Sequence, residues 1–162
     1  MKKALIVGII LSCFLISLLP QGNVNTTNKQ WKLEYIEHEP ITIDSDDDFV
    51  ALGFNGSGTA EDPYVIQQLK ITAVLGSCIS ISDTTVYFII RYCYLEGGLT
   101  SIGIHDITAG TAIITNNTCN GGDIWIEHSS YITIANNTCI NVPMGSGIVA
   151  VSYTHLTLPT KA

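Results

Sequence analysis

Short apolar segments alternate with polar turns along most of the chain, from residue 66 to residue 150. The segments are rich in isoleucine, the turns are rich in Asn, Gly, Ser and Thr, and neither a 3.6-residue period nor a helix-capping motif is present. This pattern predicts a series of short β-strands. Earlier strands are expected at residues 31–36 and 40–44, and a turn-rich segment then leads into a strand at Tyr64.

The apolar segments recur at regular distances. Residues 89–98 match residues 113–122 at an offset of 24, and the Asn-Asn-Thr-Cys segment at 116–119 returns at 136–139, an offset of 20. A further series of isoleucines has spacings of 23, 22 and 22 residues: Ile81, Ile104, Ile126 and Ile148. Repeats of this length, built of strands and turns without a leucine frame, each predict one coil of a parallel β-helix. We expect an all-β solenoid of about three to four coils over residues 41–150.

Equivalent inward side chains of stacked coils should form continuous columns about 4.8 Å apart. The predicted columns are Phe88/Ala112/Ile132, Ile90/Ile114/Ile134, Ile81/Ile104/Ile126/Ile148 and Leu95/Cys119/Cys139. Because Cys119 and Cys139 take the place of a leucine, we expect them to be small buried hydrophobic residues. A disulfide between the two stacked positions is the alternative in an oxidising compartment. No Cys-x-x-Cys pair or nearby His supports a zinc site.

Paired asparagines stand at two successive predicted turns: Asn116-Asn117 and Asn136-Asn137. Asparagine tolerates the left-handed backbone of a tight corner and can hydrogen-bond to the next coil. The first member of each pair also begins an Asn-x-Ser/Thr glycosylation sequon, as do Asn55 and Asn25. We expect the structural role for the stacked pairs. Asn25, in the polar lead-in at residues 23–40, is the glycosylation candidate.

The composition is that of a folded, acidic domain. Hydrophobic residues make up 46% of the chain and charged residues 13%, which excludes disorder. Apart from the lysines at positions 2, 3 and 161, four basic residues face fourteen acidic ones. Nucleic acids and anionic lipids bind through Lys and Arg, so both are disfavoured as partners. Neutral glycans and cations remain compatible with this charge.

The N-terminus carries a targeting pattern. Lys2 and Lys3 precede an apolar stretch at residues 4–19, which ends at Pro20. A basic start followed by a short apolar segment is typical of a secretory signal peptide, and a retained membrane anchor fits the same residues. We expect residues 1–22 to be one or the other. The domain that follows is then expected in the periplasm, at the cell surface or in the extracellular medium.

The last twelve residues, 151–162, depart from the repeat. Val151 to Thr160 read VSYTHLTLPT, which matches no earlier coil and resembles the in-frame translation of a transposon-type sequencing adapter. We therefore expect this tail to be non-native and assign no function to its residues. The natural protein is expected to continue its coils past Ala150.

Residues 56–66, Gly-Ser-Gly-Thr-Ala-Glu-Asp-Pro-Tyr-Val-Ile, lead into the Ile-rich coils with Asn-Asn-Thr turns. Together they resemble the right-handed parallel β-helix repeat proteins of the NosD-like and carbohydrate-binding/sugar-hydrolase type. The resemblance covers residues 40–150 and implies a right-handed coil, with Gly56 and Gly58 at a turn and Pro63 before the first strand. It implies no particular activity, because that superfamily includes lyases, hydrolases, epimerases, adhesins and periplasmic accessory proteins.

The coils contain no catalytic signature. Lys70 and Arg91 are their basic residues, and neither is accompanied by the column of carboxylates that a lyase site requires. An acidic run that begins at Asp44 imitates a calcium loop, but Phe49 occupies the position of the required glycine and Asn55 that of the bidentate glutamate. We expect this run to form a solvated turn.

Histidines and carboxylates follow the isoleucine series in successive coils: Asp83, His105-Asp106 and Glu127-His128. If the coils stack in register, His105 lies beside Glu127 and Asp106 lies beside His128. Such a cluster could bind a divalent cation or transfer protons. The alternative interpretation is a turn face on which opposite charges alternate between coils.

Three aromatic residues, Tyr87, Trp125 and Tyr131, are expected to point outward, where rings can stack on sugars or simply suit a strand. These features predict a secreted or cell-surface β-helix scaffold, a non-enzymatic binding or structural module that faces glycans. One alternative is a fragment of a polysaccharide lyase or glycoside hydrolase whose active residues lie beyond this sequence. The other is a NosD-like accessory protein that handles metal through His105 and His128.

Overall fold

The chain winds as a parallel β-solenoid of about four turns. This structure is a computed structural model, and it describes residues 33–143 and 146–151 together with the backbone of residues 156–157. Three sheets of five strands run along the solenoid, and each turn adds one strand to sheets A, B and C in that order. The predicted all-β parallel β-helix of about three to four coils is confirmed.

Strands are numbered in chain order. Sheet A consists of β1 (Ile36–His38), β4 (Leu69–Ala73), β7 (Tyr94–Gly97), β10 (Thr118–Asn120) and β13 (Thr138–Ile140). Sheet B consists of β2 (Ile41–Ile43), β5 (Ser77–Ser82), β8 (Thr100–His105), β11 (Asp123–Glu127) and β14 (Ile148–Val151). Sheet C consists of β3 (Tyr64–Gln67), β6 (Phe88–Arg91), β9 (Ala112–Thr115), β12 (Ile132–Ala135) and β15 (Leu156–Thr157). A short helix, α1 (Asp46–Ala51), lies between β2 and β3.

Inward side chains of successive coils stack on one another and build the core. Three predicted columns agree with the register of the strand pairs: Phe88/Ala112/Ile132, Ile90/Ile114/Ile134 and Leu95/Cys119/Cys139. All of these side chains are buried except Cys139, which is half-buried. Each fully buried aliphatic side chain contributes about 1.5–3 kcal/mol, so stacking of the columns stabilises strands too short to be stable alone.

The isoleucine column of sheet B is stacked as predicted through Ile126, and its last member was predicted wrongly. The residue opposite Ile126 is Ala150, whereas Ile148 lies opposite Ile124. Residues 141–147 separate β13 from β14, while only two residues separate β10 from β11. The longer connection moves the register by two residues, and such a shift still keeps the same face of the strand inward.

Asparagines form a hydrogen-bonded column at the corner between sheets C and A. Two residues with a left-handed backbone, φ 55° each, turn the chain there: Asn116 and Asn136. The buried Asn117 accepts the Cys93 backbone N–H at 3.0 Å through Oδ1 and donates to the Ile90 carbonyl at 2.9 Å through Nδ2. Asn137 accepts the Asn117 N–H at 2.9 Å in the same way. The structural role predicted for the stacked asparagines is therefore confirmed.

The acidic run at residues 44–48 was predicted to be a solvated turn, and that prediction is wrong for most of it. Ser45 occupies the N-cap position of helix α1 without a side-chain capping bond, and Asp48 Oδ2 accepts hydrogen bonds from the Asp44 N–H at 2.9 Å and from Ser45 Oγ at 2.8 Å. These bonds lower the pKa of Asp48. Phe49, one residue further on, is fully buried. The helix therefore covers the first coil of the solenoid with an aromatic side chain.

Two other carboxylates of this run tie α1 and β2 to the next coil. Asp44 Oδ1 accepts a 3.0 Å hydrogen bond from Ser82 Oγ. Asp46 accepts the Thr85 backbone N–H at 2.7 Å and the Thr85 hydroxyl at 2.6 Å. Burial raises the pKa of Asp46, but the hydrogen bonds from Thr85 and from the Val86 backbone outweigh burial and leave this pKa below its ordinary value.

We expect Asp46→Ala to destabilise the protein by about 1 kcal/mol at neutral pH, the lower end for charge-assisted hydrogen bonds because the side chain is partly solvated. A lowered folded-state pKa means that this contribution is present above the unfolded pKa of about 3.9 and is lost as the pH falls through the folded pKa. Urea unfolding between pH 7 and pH 2 measures the effect. The control is Asp47→Ala, which removes an equivalent charge from the first turn of α1. Superimposable pH profiles for the two variants would contradict the prediction.

Several predictions concern residues outside the described part of the chain. The targeting segment at residues 1–22 and Asn25 are among them, and so is most of the 151–162 tail. Within that tail, the backbone of Leu156 pairs in parallel with Ile132 of β12. The helices of the described residues are all too short or too polar to span a membrane.

Candidate functional site

The outer face of sheet B brings His105 and Glu127 together. His105 ends β8 and Glu127 ends β11, and the two residues are partners in the parallel register, as predicted. His105 Nδ1 lies 3.4 Å from Glu127 Oε2, with each side chain about one third exposed. Outward placement follows from the strand period of two, because buried isoleucines precede both residues.

Asp106 and His128 form a second pair at the corner where the chain leaves sheet B. Both have a left-handed backbone, with φ 49° and 46°, as does Asp83 one coil earlier with φ 52°. His128 Nδ1 lies 3.5 Å from Asp106 Oδ1, and both side chains are more than half exposed. Each corner is closed by a backbone bond to the next coil, such as Asp106 N–H to the Glu127 carbonyl at 3.2 Å.

The predicted cluster is therefore realised as two separate pairs. Among the described residues, no group of three or more His, Cys, Asp or Glu side chains is arranged to hold a metal ion. Each histidine has one carboxylate beside it. Among the described residues, Asp83 takes part in neither of these two histidine–carboxylate contacts. Divalent-cation binding at these five residues stays a prediction. What the geometry displays is an imidazole beside a carboxylate of the neighbouring coil in each pair.

Trp125 joins the His105–Glu127 pair. It lies two residues before Glu127 on the same outer face of β11, half-buried, and its Nε1 donates a 3.4 Å hydrogen bond to Glu127 Oε2. The same carboxylate oxygen thus contacts the indole of Trp125 and the imidazole of His105. The sequence pattern predicted Trp125 as a sugar-stacking residue and His105 as part of the histidine–carboxylate cluster. Only the register of β8 on β11 shows that they share one carboxylate.

Gly103 is a further member of this surface that sequence reasoning missed. It is the register partner of Trp125 and of Ser80 on the neighbouring strands. A Cβ at Gly103 would lie 3.2 Å from His105 Nε2, closer than ordinary van der Waals contact. The glycine therefore leaves room for the His105 ring to lie across the sheet. The sequence does contain a signal for this role, namely a glycine between two inward isoleucines. A glycine inside a strand often marks a place where another group approaches the backbone closely.

We call the outward residues of this surface the Trp125 strip: Ser80, Gly103, His105, Trp125 and Glu127. The two tyrosines predicted as sugar-stacking residues lie elsewhere. Tyr87 immediately precedes β6 and Tyr131 immediately precedes β12, both strands of sheet C. They are 38% and 54% exposed, respectively, so the predicted outward orientation holds for them. The structure thus does not bring the three aromatic residues onto one face.

A cavity of about 320 Å³ lies near the start of the solenoid, between sheets A and C. Its lining includes apolar side chains, among them Ile36, Phe54 and Leu69, and the amides of Asn55 and Gln67. Its volume is at the lower end of small-ligand pockets, roughly 300–1,000 Å³. No sequence signal indicated this cavity, because its walls come from segments that are distant along the chain.

The fold and this surface define the class of the protein: a parallel β-solenoid with an aromatic and acidic strip on the outer face of one sheet. Comparisons with protein-family models, with curated proteins and with solved structures gave no match.

Proposed function

We propose that this protein is a secreted or cell-surface scaffold that binds neutral glycans through the Trp125 strip, without catalysing a reaction on them. The observation that carries the proposal is the shared Glu127 carboxylate, which contacts the indole N–H of Trp125 and the imidazole of His105. An aromatic face beside fixed polar groups complements a sugar ring, whose C–H face packs on the aromatic ring while its hydroxyls form hydrogen bonds.

Charge on and around the strip favours a neutral ligand over an anionic one. Glu127 lies within the strip, and Asp106 is the next residue after His105. The basic residues of the described coils lie on other sheets and are engaged there. Lys70 of sheet A contacts Glu37 at 2.8 Å, and Arg91 of sheet C donates to Gln67 Oε1 at 2.9 Å. A polyuronate would therefore meet carboxylates on the strip without a nearby cation.

The cellular setting of this proposal comes from the sequence. The basic and apolar residues of the first 22 positions support export, and residues 56–66 support membership of the NosD-like or sugar-hydrolase β-helix superfamily.

Replacement of Trp125 by alanine is expected to weaken binding of a neutral polysaccharide about tenfold, since the ring supplies the stacking surface and its N–H holds the Glu127 carboxylate in place. Affinity gel electrophoresis with galactomannan, xyloglucan and polygalacturonate measures the effect and the preference for neutral chains. The matched control is Tyr131→Ala, which removes an exposed ring that lies off the strip. Equal retention of both variants and the parent protein would refute the role of the strip. Release of reducing ends or unsaturated sugars would instead favour the enzyme alternative.

Metal handling is the second candidate function, and the two His–carboxylate pairs are its candidate ligands. His105–Glu127 and Asp106–His128 stand on successive residues of the same two coils. A double variant, His105→Ala with His128→Ala, tests this candidate by calorimetric titration with Zn²⁺, Mn²⁺ and Ca²⁺. Metal binding by the parent protein that the double variant loses would support the candidate. Identical titrations would end it and would not bear on the glycan proposal, which is tested with polysaccharides and the Trp125 variant.

A further inference from the structure

Cys119 and Cys139 face each other across two neighbouring parallel strands. Cys119 in β10 and Cys139 in β13 are register partners. Strands in a sheet lie about 4.8 Å apart, within the range of about 4.4–6.8 Å between Cα atoms that a disulfide spans. Both residues are free thiols in this structure, with Cys119 fully buried and Cys139 half-buried.

The two thiols are chemically unequal. The neighbouring Cys139 side chain and burial both raise the pKa of Cys119. Cys119 is fully buried, whereas Cys139 is half-buried, so only the Cys139 sulfur is accessible to an external reagent. An accessible thiol beside a second cysteine is the arrangement found in reactive pairs.

A buried carboxylate lies beside this pair. Asp123 is 8% exposed, and its Oδ1 has no hydrogen-bond partner among the described residues. It is close enough to Cys139 to act on the charge of that thiol. A buried carboxylate oxygen without a hydrogen-bond donor lowers the stability of the fold, and the S–H group of a thiol can supply the missing hydrogen bond.

We propose that Cys119 and Cys139 form a thiol–disulfide exchange site that reacts with small external disulfides, Cys139 attacking and Cys119 resolving. The Cys139 thiolate attacks one sulfur of R–S–S–R, the external S–S bond breaks, and the released RS⁻ takes up the proton that Cys139 lost. Cys119 then loses its proton and attacks the Cys139 sulfur of the mixed disulfide, and the second RS⁻ leaves with that proton. The external disulfide gains two electrons, and the two protein thiols become one disulfide that joins β10 to β13.

The other cysteines of the described residues lack this arrangement. Cys78 and Cys93 are buried, and neither has a cysteine as register partner in the described strand pairs. Burial raises the pKa of Cys93 to about 11 and also raises that of Cys78.

Side chains of neighbouring parallel strands point the same way, so the Cys119 and Cys139 side chains must both turn before their sulfurs can join. A bond formed in that way is easily reduced, which suits reversible exchange rather than a permanent crosslink.

The test uses oxidised glutathione and the full chain with Cys13→Ser as background, a substitution that removes the fifth cysteine, which lies in the apolar stretch at residues 4–19. Mass spectrometry of peptides is expected to find the Cys119–Cys139 disulfide in the parent, and glutathione trapped on Cys139 in Cys119→Ser. In Cys139→Ser we expect neither product, while Cys78→Ser and Cys93→Ser should behave as the parent does. Glutathione on Cys78 or Cys93 in the folded parent, or a parent without the 119–139 bond, would overturn the proposal.

Gly147 offers a variant that leaves all thiols in place. A Cβ there would lie 3.7 Å from Cys139 Sγ and 3.1 Å from its Cβ, so an added methyl group would crowd the half-buried thiol. Gly147→Ala is therefore expected to slow the reaction with oxidised glutathione severalfold while yielding the same disulfide. An unchanged rate would show that Cys139 is not the attacking sulfur. This measurement keeps the proposal testable if Cys119→Ser does not fold.

Discussion

Asn117→Ala is expected to lower the free energy of unfolding by about 3 kcal/mol. The Asn117 amide satisfies two backbone groups of the preceding coil, the Cys93 N–H and the Ile90 carbonyl, inside a corner where the side chain is 1% exposed. Alanine removes both partners at once. A buried donor or acceptor without a partner costs roughly 1–3 kcal/mol, and water has little access to this corner.

Urea unfolding followed by circular dichroism measures this loss. Asn116→Gly is the control, because glycine accepts the left-handed backbone of that position and the side-chain bond lost there is a local one to Thr115 Oγ1. We expect the control to cost less than about 1 kcal/mol. Equal losses in the two variants would mean that the column of asparagines does not stabilise the coils.

Phe49→Ala is expected to cost about 3–5 kcal/mol, the range for truncating a buried phenylalanine. The ring is fully buried and stacks on Tyr64 at a centroid distance of 4.8 Å and an interplanar angle of 6°. It also contacts Phe88, whose ring centroid is 5.5 Å away. Removing it leaves a cavity between helix α1 and the first coil.

Val50→Ala is the matched control, since Val50 follows Phe49 in the same helix and is 65% exposed. Hydrogen exchange should separate a local effect from a global one. We expect Phe49→Ala to accelerate exchange first in α1 and β2, the elements nearest the cavity. A loss no larger than that of Val50→Ala would show that the helix does not cap the core.

How far the fold could be predicted is clearest in sheet B. Ile81, Ile104 and Ile126 were assigned to one column because strands place alternate residues inward and the repeat supplies the next member. Ile148 was assigned to the same column on identity and spacing. The connection before β14 set a different register, in which Ala150 takes that place. The register of a strand depends on how the preceding loop folds, and the apolar identity of a residue does not reveal that.

Helix α1 could not be predicted for a related reason. Six residues, four of them Asp or Ala, offer no apolar period long enough to indicate a helix. The element is stabilised by hydrogen bonds to Ser45 and Thr85 and by the burial of Phe49. The Ser45 bond is local, but the Thr85 bonds and the contact of Phe49 with Phe88 exist only once the second coil is in place.

The candidate site divides in the same way. The pairing of His105 with Glu127 followed from the repeat, because equivalent residues of successive coils must be neighbours. The participation of Trp125 and Gly103 did not follow, since it depends on side-chain direction across the sheet rather than on register alone.

The sequence by itself determined the solenoid, its three inward columns and the asparagine corners, because each rests on a repeat whose members need only be stacked. The tertiary structure decided the helical cap, the last register of sheet B, the shared carboxylate of Glu127 and the unequal pair Cys119–Cys139. Each of these depends on distances between atoms of different coils, and such distances are set by connections and side-chain packing that no single repeat encodes.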